Sequence, residues 1–406
     1  MPKIKCISLA FTTILTLAFA WNTSVELFYT LFILGSSILI LSFLSFVTFK
    51  AKLKLARTVQ DIAYEDDLIN VGIDISSKKI LPSYSVEIID HFKGESPGQT
   101  EKSMFLSKLK GMGSRKISYV TECYKRGLWD FGPIVVSSQD FLGFFESKKK
   151  HKVFSKILVY PKLFNVLTFP EPKSSSLSWM GVETAKISGD SHEFFGVREY
   201  QRGDLKSRIH WPLTAKHNKL ITKEFQRSAA QEVTIILDLE KDHDIGIGRD
   251  STLEYSVKIA GSIAKYLLDK GVFIQLIGHS KERDILPFGK GESHMHRILE
   301  YLAMVTSAEG LKLSHVLDEA IFFTPNQSTL VTMVLDNDLE AISNLFQYKI
   351  KGIKLILFVF SVETFGVIHE TEKKHVTEFE DTLVNLEAET YRISKDDNLE
   401  EKLQAK

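Results

Sequence analysis

Residues 196–227 of the chain are GVREYQRGDLKSRIHWPLTAKHNKLITKEFQR, and they separate two parts of the sequence that have different hydrophobic patterns. This stretch contains eight Lys or Arg residues and three acidic residues, one of which is Asp204 of a Gly203-Asp204 pair. Gly203 can adopt a positive φ at little cost, and Asp204 is suited to cap a short helical turn that ends near Arg208. The stretch therefore predicts an irregular segment, followed by a strand within residues 220–225.

Residues 231–395 alternate between apolar β runs and segments with helical spacing. The predicted strands are residues 233–237, 272–277, 329–335, 353–360 and 390–393. The predicted helices are residues 253–268, 294–304, 314–322, 339–346 and 379–386. This alternation predicts a mostly parallel, doubly wound sheet. The charged residues 396–406 are predicted to form a flexible tail.

Residues 58–195 have a different pattern, in which short β runs are interrupted by clusters of Gly, Pro and Ser. The runs are residues 68–75, 84–89, 117–123, 133–136 and 157–160. No helical period persists across this region, and the spacing of the runs is typical of a small antiparallel sandwich or open barrel. We therefore expect a β-sandwich-like module here, joined to the α/β region by a linking segment over residues 196–230.

Two apolar runs, residues 7–21 and 27–49, precede the β-rich region. The second is long enough to span the ~30 Å hydrocarbon core of a bilayer as a helix. The first is shorter and includes Ala18-Phe19-Ala20, which is typical of a signal-peptide cleavage site, so a cleaved signal stays an alternative. A third interpretation, buried core helices of a soluble protein, fits the N-terminal position and the basic flanks less well.

Basic residues lie before the first apolar run and after the second, but not in the loop between them. They are Lys3, Lys5, Lys50, Lys52, Lys54 and Arg57, whereas residues 22–26 contain no Lys or Arg. The positive-inside rule then favours an uncleaved pair of transmembrane helices over residues 1–57. The rest of the chain is expected in the cytoplasm, attached to the cytoplasmic (inner) membrane.

Composition limits the remaining possibilities. The chain of 406 residues has 51 Lys and Arg residues against 51 acidic residues, so no overall charge favours nucleic acid. Its two cysteines, Cys6 and Cys123, exclude a disulfide framework and suit a reducing compartment. No known nucleic-acid-binding motif is present, and we expect no nucleic-acid partner.

The stretch that begins at residue 196 resembles the signature of the domain-of-unknown-function 58 family, a group of bacterial membrane-anchored proteins. The matching positions are Arg198-Glu199-Tyr200, Gly203-Asp204, Arg208, Ile209-His210-Trp211, Thr214-Ala215-Lys216, Leu220 and Lys223-Glu224-Phe225. Lys216 departs from the pattern, because the family usually has Arg there and only Arg offers a bidentate contact. Residues 126–133, residues 140–145 and Tyr160-Pro161 resemble further landmarks of the same family.

The resemblance also implies that the α/β region is similar to a von Willebrand factor A domain. Such domains often hold a divalent metal through an Asp-x-Ser-x-Ser string after the first strand. Here the string is Asp238-Leu239-Glu240-Lys241-Asp242, in which acidic residues replace both serines. Asp238, Glu240 and Asp242 are therefore candidate ligands for Mg²⁺ or Ca²⁺, and a solvated acidic loop without a metal is the alternative.

The signature supports three interpretations. Asp204, Ser207 and His210 offer an acid, a hydroxyl and a base, but three residues along one turn do not generally converge as a catalytic triad. A charged network could join the β-rich and α/β regions, with Trp211, held extended by Pro212, buried between them. Alternatively the signature is a partner-binding surface, with candidates Arg198, Glu199, Tyr200, Gly203, Asp204, Arg208, His210, Trp211, Thr214, Lys223 and Glu224.

The sequence thus predicts an α+β multidomain protein with N-terminal transmembrane helices, a β-sandwich-like module and a von Willebrand A-like doubly wound domain. We expect a non-enzymatic interaction or assembly factor. The family resemblance implies a partnership with a MoxR-type AAA+ ATPase and, in some cases, with a transglutaminase-like membrane protein. The alternative is a metal-dependent hydrolase or a metal-dependent ligand-binding protein that uses the Asp238 loop.

Overall fold

The computed structural model divides the chain into two units. It describes residues 2–23, 25–96, 98–140, 142–175, 194–200, 209–225, 230–279, 283–309, 312–366 and 370–404. The first unit comprises Met1–Lys162 with Leu299–Val305, and the second comprises Leu163–Ile298 with Thr306–Lys406. The N-terminal helices and the β-rich module therefore belong to one unit, and residues 163–175, 194 and 195 belong with the α/β region rather than with the β-rich module.

Two apolar helices, α1 (Pro2–Thr23) and α2 (Glu26–Phe49), begin the first unit. Both are long and apolar enough to cross a bilayer. They pack against each other where Gly35 of α2 meets Thr13 of α1, because a Cβ at Gly35 would lie 2.1 Å from Cγ2 of Thr13. Small residues allow this close approach between apolar helices.

Ten short strands follow α2. They are β1 (Leu53–Thr58), β2 (Ile62–Tyr64), β3 (Leu68–Ser77), β4 (Ser83–His91), β5 (Glu101–Leu109), β6 (Ser114–Glu122), β7 (Gly127–Phe131), β8 (Ile134–Gln139), β9 (Glu146–His151) and β10 (Ser155–Tyr160). They form an antiparallel sheet in the order β1-β3-β6, an antiparallel sheet in the order β5-β4-β8-β9, and a smaller sheet in the order β2-β10-β7.

The two larger sheets share one hydrophobic core. Ile73 and Ile75 contribute from β3, Val86 and Ile88 from β4, and Ile134 from β8. In β3 and β4 apolar residues alternate with exposed or half-buried ones, which is the pattern of a sheet with one buried face. The antiparallel sandwich predicted from the spacing of the β runs is therefore present.

A buried ion pair lies within the sandwich. Arg57 Nε donates to Oδ2 of Asp90 at 3.0 Å, a second guanidinium nitrogen donates to Oδ1, and both side chains are fully buried. The hydroxyl of Tyr119 donates to Oδ2 of the same carboxylate at 3.0 Å. Buried charges require such pairing, so this network is a structural part of the module.

The second unit contains the α/β domain, although residues Leu299–Val305, which include the end of one helix of that domain, belong to the first unit. Its elements are β11 (Ser174–Ser175), β12 (Phe194–Glu199), α3 (Trp211–His217), β13 (Ile221–Phe225), β14 (Ala230–Ile236), α4 (Thr252–Asp269), β15 (Phe273–His279), β16 (Arg283–Gly289), α5 (Glu292–Met304), α6 (Leu313–Ala320), β17 (Thr329–Leu335), α7 (Leu339–Ile350), β18 (Lys354–Phe360), α8 (Val362–Phe365), α9 (Glu370–Leu386), β19 (Glu389–Ile393) and α10 (Leu399–Gln404).

The main sheet of this unit has the order β16-β15-β14-β17-β18-β19, in which β16 is antiparallel and the other five strands are parallel. The strands and helices predicted between residues 231 and 395 are all present. Strand β17 is completely buried, as expected for a parallel strand covered by helices on both faces. The chain leaves β14 toward β15 and later crosses to β17, so the strand order reverses beside β14.

The C-terminal residues differ from the prediction. Residues 396–406 were expected to be a flexible tail, but residues Leu399–Gln404 form α10. Leu403 is buried. Apolar residues four positions apart, Leu399 and Leu403, lie on one face of a helix, and burial of this face stabilises the turn despite its charged neighbours.

Candidate functional site

The candidate site lies where β14 and β17 end. These strands are parallel neighbours, with Ile236 of β14 paired to Thr332 of β17, so the loops that follow them lie at the same edge of the sheet. The first loop contains Asp238 and a short 3-10 helix, Lys241–His243. The second contains Asp338, which begins α7. In doubly wound sheets this edge, at the point where strand order reverses, forms the usual ligand crevice.

Asp238 organises the first loop. Its Oδ1 accepts a hydrogen bond from the backbone N–H of Glu240 at 3.0 Å. Its Oδ2 lies 2.7 Å from Nδ1 of His243, and Oε2 of Glu240 lies 3.6 Å from the same nitrogen. The side chains of Asp238, Glu240 and His243 are each less than one-fifth exposed. The loop thus folds over a histidine that is shared by two carboxylates.

Electrostatics favour the charged form of His243. Burial by itself lowers the pKa of His243, but the hydrogen bond and charge of Asp238 and the charges of Glu240 and Asp338 outweigh it and raise the pKa to about 9. At neutral pH the imidazole is therefore an imidazolium, with a positive charge held among three carboxylates.

The second loop places its carboxylate by capping a helix. Asp338 is the N-cap of α7 and accepts a hydrogen bond from the backbone N–H of Ala341 at 3.0 Å. Burial raises the pKa of Asp338, and the helix contact and the positive charge of His243 partly oppose this shift. Glu240 makes a comparable contact, because its Oε2 accepts from the N–H of Leu313 at the start of α6, 3.1 Å away.

These loops border an open cleft of about 620 Å³, called the acidic cleft below. It is lined by Glu240, Asp242, His243, Ile245, Lys312, Ser314, Leu335, Asn337, Asp338, Leu339, Glu340, Val362 and His375. Four acidic residues stand against Lys312, His243 and His375, and Lys312 is itself paired with Glu340 at 3.0 Å. The cleft is thus wide, and its charged residues are predominantly acidic.

The three-residue group that could hold a metal differs from the expected one. Ligand atoms of Asp238, Glu240 and His243 lie within 4.8 Å of one another. Asp242, expected as the third ligand, is exposed on the 3-10 helix, and His243 lies in the group instead. Mg²⁺ and Ca²⁺ prefer six or more oxygen ligands, whereas two carboxylates and an imidazole suit transition metals. The imidazole would also have to lose its proton before it could bind a metal.

The signature segment forms a small hairpin with a helix beside it. β12 and β13 pair antiparallel, with Glu199 opposite Ile221. His210 is the N-cap of α3, where its Nδ1 accepts a hydrogen bond from the N–H of Leu213 at 3.3 Å. Oγ1 of Thr214 accepts from the N–H of Ile221 at 3.0 Å and so joins α3 to β13. His210 and Thr214 therefore have local structural roles.

Trp211 differs from its expected extended geometry. It was expected to be extended before Pro212 and, in one interpretation, buried between two regions. Instead it is the first residue of α3, because proline is tolerated in the first turn of a helix, where its missing N–H has no partner. Its side chain is 63% exposed, whereas Ile209, two residues earlier, is buried. Exposure at this position is compatible with a partner-binding surface.

The remaining signature candidates are described only in part. The carboxylate of Glu199 pairs with Lys219 at 2.9 Å within the hairpin, and Tyr200 is half-buried. Arg198, Lys223 and Glu224 lie on β12 and β13, although their side chains lie outside the described part of the structure. Gly203, Asp204, Ser207 and Arg208 lie outside the described residues altogether, so the proposed grouping of Asp204, Ser207 and His210 has no described geometry.

Comparisons with known proteins agree with the signature. The family described as "Protein of unknown function DUF58" matches residues 196–350. The uncharacterized protein YeaD of Bacillus subtilis (strain 168) is 24% identical over 191 residues, which cover 47% of this chain and 46% of that protein. The match thus spans slightly less than half the length of that relative.

Two solved structures with low similarity were also found. The CARDB domain of the PF1109 protein from Pyrococcus furiosus, solved in complex with di-metal ions, is 12% identical, with a TM-score of 0.21, over 27% of this chain and 93% of that chain. Red sea bream transglutaminase is 9% identical, with a TM-score of 0.20, over 27% of this chain and 15% of that chain. Neither similarity is high enough to support an argument. Residues 196–350, which contain the hairpin, the Asp238 loop and Asp338, are thus the part of this chain that matches the DUF58 family.

Proposed function

We propose that this chain is a membrane-anchored interaction or assembly factor rather than an enzyme, and that its second unit binds a protein partner in the acidic cleft. The observation that carries the proposal is the cleft of about 620 Å³ at the carboxyl ends of β14 and β17. Of its carboxylates, Glu240 lies 3.6 Å from Nδ1 of His243 and Glu340 is paired with Lys312, so we infer a charged surface and not a free acid and base.

The chemistry of the cleft favours a basic segment of the partner. Acidic side chains around an open crevice attract Lys and Arg, which speeds association. They repel acidic partners, which makes association specific. The family resemblance supplies the candidate, a MoxR-type AAA+ ATPase, and a transglutaminase-like membrane protein as a further component. The strand order of the sheet, with one antiparallel edge strand, supports the von Willebrand A-like assignment that the same resemblance implies.

Helices α1 and α2 are the proposed membrane anchor. Their length and composition support it, and the basic residues at the start of α1 and after α2 favour an orientation with the chain from residue 50 onward in the cytoplasm. On this basis the chain tethers its acidic cleft to the inner membrane, where an ATPase could act on a membrane-bound assembly. The cleft would then recruit the ATPase to its site of action.

Binding of the full-length protein to its cognate ATPase tests this function. The protein, in lipid nanodiscs, is immobilised, and binding of the purified ATPase is measured without nucleotide, with ADP and with a non-hydrolysed ATP analogue. We expect Asp242→Lys to weaken binding and Asp269→Lys, an exposed change at the end of α4, to leave it unchanged. Absence of binding in every nucleotide state would remove the proposal.

A second candidate function is metal-dependent capture or hydrolysis of a ligand. It is favoured by the three ligand atoms of Asp238, Glu240 and His243 that lie within 4.8 Å of one another. This candidate requires saturable metal binding to the wild-type chain and its loss in Asp238→Ala, with the fold unchanged. Metal-independent ATPase binding that survives chelation would argue against it.

A further inference from the structure

Several connections between strands lie at one end of the β-sandwich, around the end of α2. At the carboxyl end of β3, Ser77 pairs with Leu53 at the start of β1. In the other sheet Ser83 pairs with Leu109, and Gln139 pairs with Glu146. The connections 78–82 and 110–113, and residues 140 and 142–145 of a third connection, therefore lie at the same end of the sandwich as residues 50–52, which follow α2. These four connections are called the α2-facing end below.

The α2-facing end contacts the last turns of α2 directly. Phe145 packs its ring against Phe43 and Phe46, with centroid distances of 5.6 and 5.9 Å. The ammonium of Lys79 donates to the backbone oxygens of Val47, at 3.2 Å, and Thr48, at 2.9 Å. These oxygens lack partners within the helix, and a cation here also complements the helix dipole.

Asp140 fixes the third connection against the helix. Its buried carboxylate accepts hydrogen bonds from the hydroxyl of Ser42 on α2 and from the backbone N–H groups of Leu142, at 3.1 Å, and Phe145, at 2.8 Å. Three donors can hold a buried carboxylate without a basic partner. The turn after β8 is therefore attached to a part of α2 that lies two turns before the end of the helix.

The length of α2 places this end at the membrane boundary. Its 24 residues extend about 36 Å at 1.5 Å each, whereas the hydrocarbon core is about 30 Å thick. Only about one turn of a spanning α2 therefore extends beyond the hydrocarbon. Phe46 belongs to the last turn of α2, so Phe145, which packs against it, lies at the boundary between the hydrocarbon and the headgroups. The contact of Asp140 with Ser42 lies about one turn deeper.

The side chains at this end are suited to that environment. Ile80, Met112 and Leu142 are 86%, 72% and 56% exposed, although they are apolar. The first two belong to touching turns, because the N–H of Met112 donates to the backbone oxygen of Lys79 at 2.7 Å. Burial, together with the charges of Lys52 and Lys50, lowers the pKa of Lys79, so three lysines repel one another here.

We propose that the α2-facing end is a second membrane-binding surface, which takes an anionic lipid bilayer as its partner. Ile80, Met112 and Leu142 enter the interfacial region of the bilayer. The ammonium groups of Lys50, Lys52 and Lys79 contact lipid phosphates, which offsets their mutual repulsion. The β-sandwich is then held in a fixed orientation on the membrane and does not swing freely from α2. This inference rests on the membrane anchoring proposed above.

Spin labels on the full-length protein in nanodiscs test the surface. With Cys6 replaced by Ser and Cys123 buried, single cysteines are introduced by Ile80→Cys, Met112→Cys and Leu142→Cys. Ile40→Cys on an exposed face of α2 reports insertion of the helix, and Leu68→Cys is the aqueous control. Leu68 begins β3, about 30 Å from its carboxyl end at about 3.3 Å per residue. Collisions with oxygen, which concentrates in lipid, are compared with collisions with a water-soluble nickel chelate.

We expect the labels at the three loop positions to favour oxygen, as the label at position 40 does, when the nanodiscs contain phosphatidylglycerol. The preference should fall in phosphatidylcholine alone, and Lys50→Gln with Lys52→Gln should remove this dependence on lipid charge. If the three loop labels favour the nickel chelate as the label at position 68 does, while the label at position 40 favours oxygen, the proposed membrane-binding surface is wrong. The membrane anchor is then still supported. If the label at position 40 also favours the nickel chelate, both the proposed anchor and the proposed membrane-binding surface are wrong.

Discussion

Nδ1 of His243 lies 2.7 Å from Oδ2 of Asp238, so the acidic loop after β14 has a cation supplied by its own chain. In a loop with several carboxylates, mutual repulsion must be relieved by a metal, by protons or by a basic group. Here the imidazolium of His243 does so. The loop can therefore keep its shape, and the acidic cleft its form, without a bound metal.

The first prediction concerns stability against pH. The pKa of His243 rises from 6.5 to about 9 on folding, so its contribution to stability is fully present below pH 6.5 and is lost as the pH rises through about 9. The shift corresponds to about 3 kcal/mol. The melting temperature of the wild type should therefore fall across this range more steeply than that of His243→Asn. If the melting temperatures of the two proteins change equally with pH, His243 does not contribute to stability in this way.

The second prediction concerns metal binding after the histidine is removed. His243→Ser leaves Asp238 and Glu240 facing each other without a cation, so we expect it to bind Mn²⁺ at least about tenfold more tightly than the wild type, as measured by calorimetry. Asp238→Asn in the same background should abolish the gain. The opposite result, tight binding by the wild type that His243→Ser destroys, would identify His243 as a metal ligand.

The third prediction separates partner binding from packing in the signature segment. Trp211 is exposed and Ile209 is buried, although only one residue lies between them. Trp211→Ala should change the free energy of unfolding by less than about 0.5 kcal/mol, yet weaken ATPase binding. Ile209→Ala should destabilise the protein by about 2 kcal/mol or more, because it leaves a cavity. Normal ATPase binding by Trp211→Ala would exclude this side chain from the binding surface.

The fourth prediction concerns the buried pair of the β-sandwich. Asp90→Ala leaves the guanidinium of Arg57 buried without its carboxylate, and we expect a loss of about 3 to 5 kcal/mol in the free energy of unfolding. Asp74→Ala, on exposed β3 surface, is the matched control and should cost less than about 0.5 kcal/mol. Denaturant unfolding in detergent measures both. If the two substitutions lower the free energy of unfolding equally, the Arg57–Asp90 pair contributes little to stability.

Sequence patterns were sufficient for elements whose own residues determine them. α4 was predicted because apolar residues recur at helical spacing, and Ser251 caps its first turn. β16 was missed, since Pro287 and Asp284 interrupt its pattern. Its position at the sheet edge explains why proline is tolerated there. β5 was missed for a related reason, because it is an edge strand with mostly exposed or half-buried residues.

The candidate site was only half predictable. Asp238 and Glu240 follow a strongly apolar strand, and this position in the sequence identified them as candidate site residues. His243 was missed because its place beside Asp238 depends on the 3-10 turn between them. Asp338 is 100 residues from Asp238 in the sequence, and only the pairing of β14 with β17 brings their loops to one edge. An acidic residue after a second buried strand was the signal that could have identified it.

Site-specific photo-crosslinking from the acidic cleft tests the central claim most directly. A photoreactive amino acid replaces Asp242 in the full-length protein in nanodiscs, and position 269 carries it in the control. After illumination with the purified MoxR-type ATPase, products are identified by mass spectrometry. The account predicts a crosslink to the ATPase from position 242 and none from position 269. Bound ATPase that crosslinks from neither position, or only from 269, would contradict it.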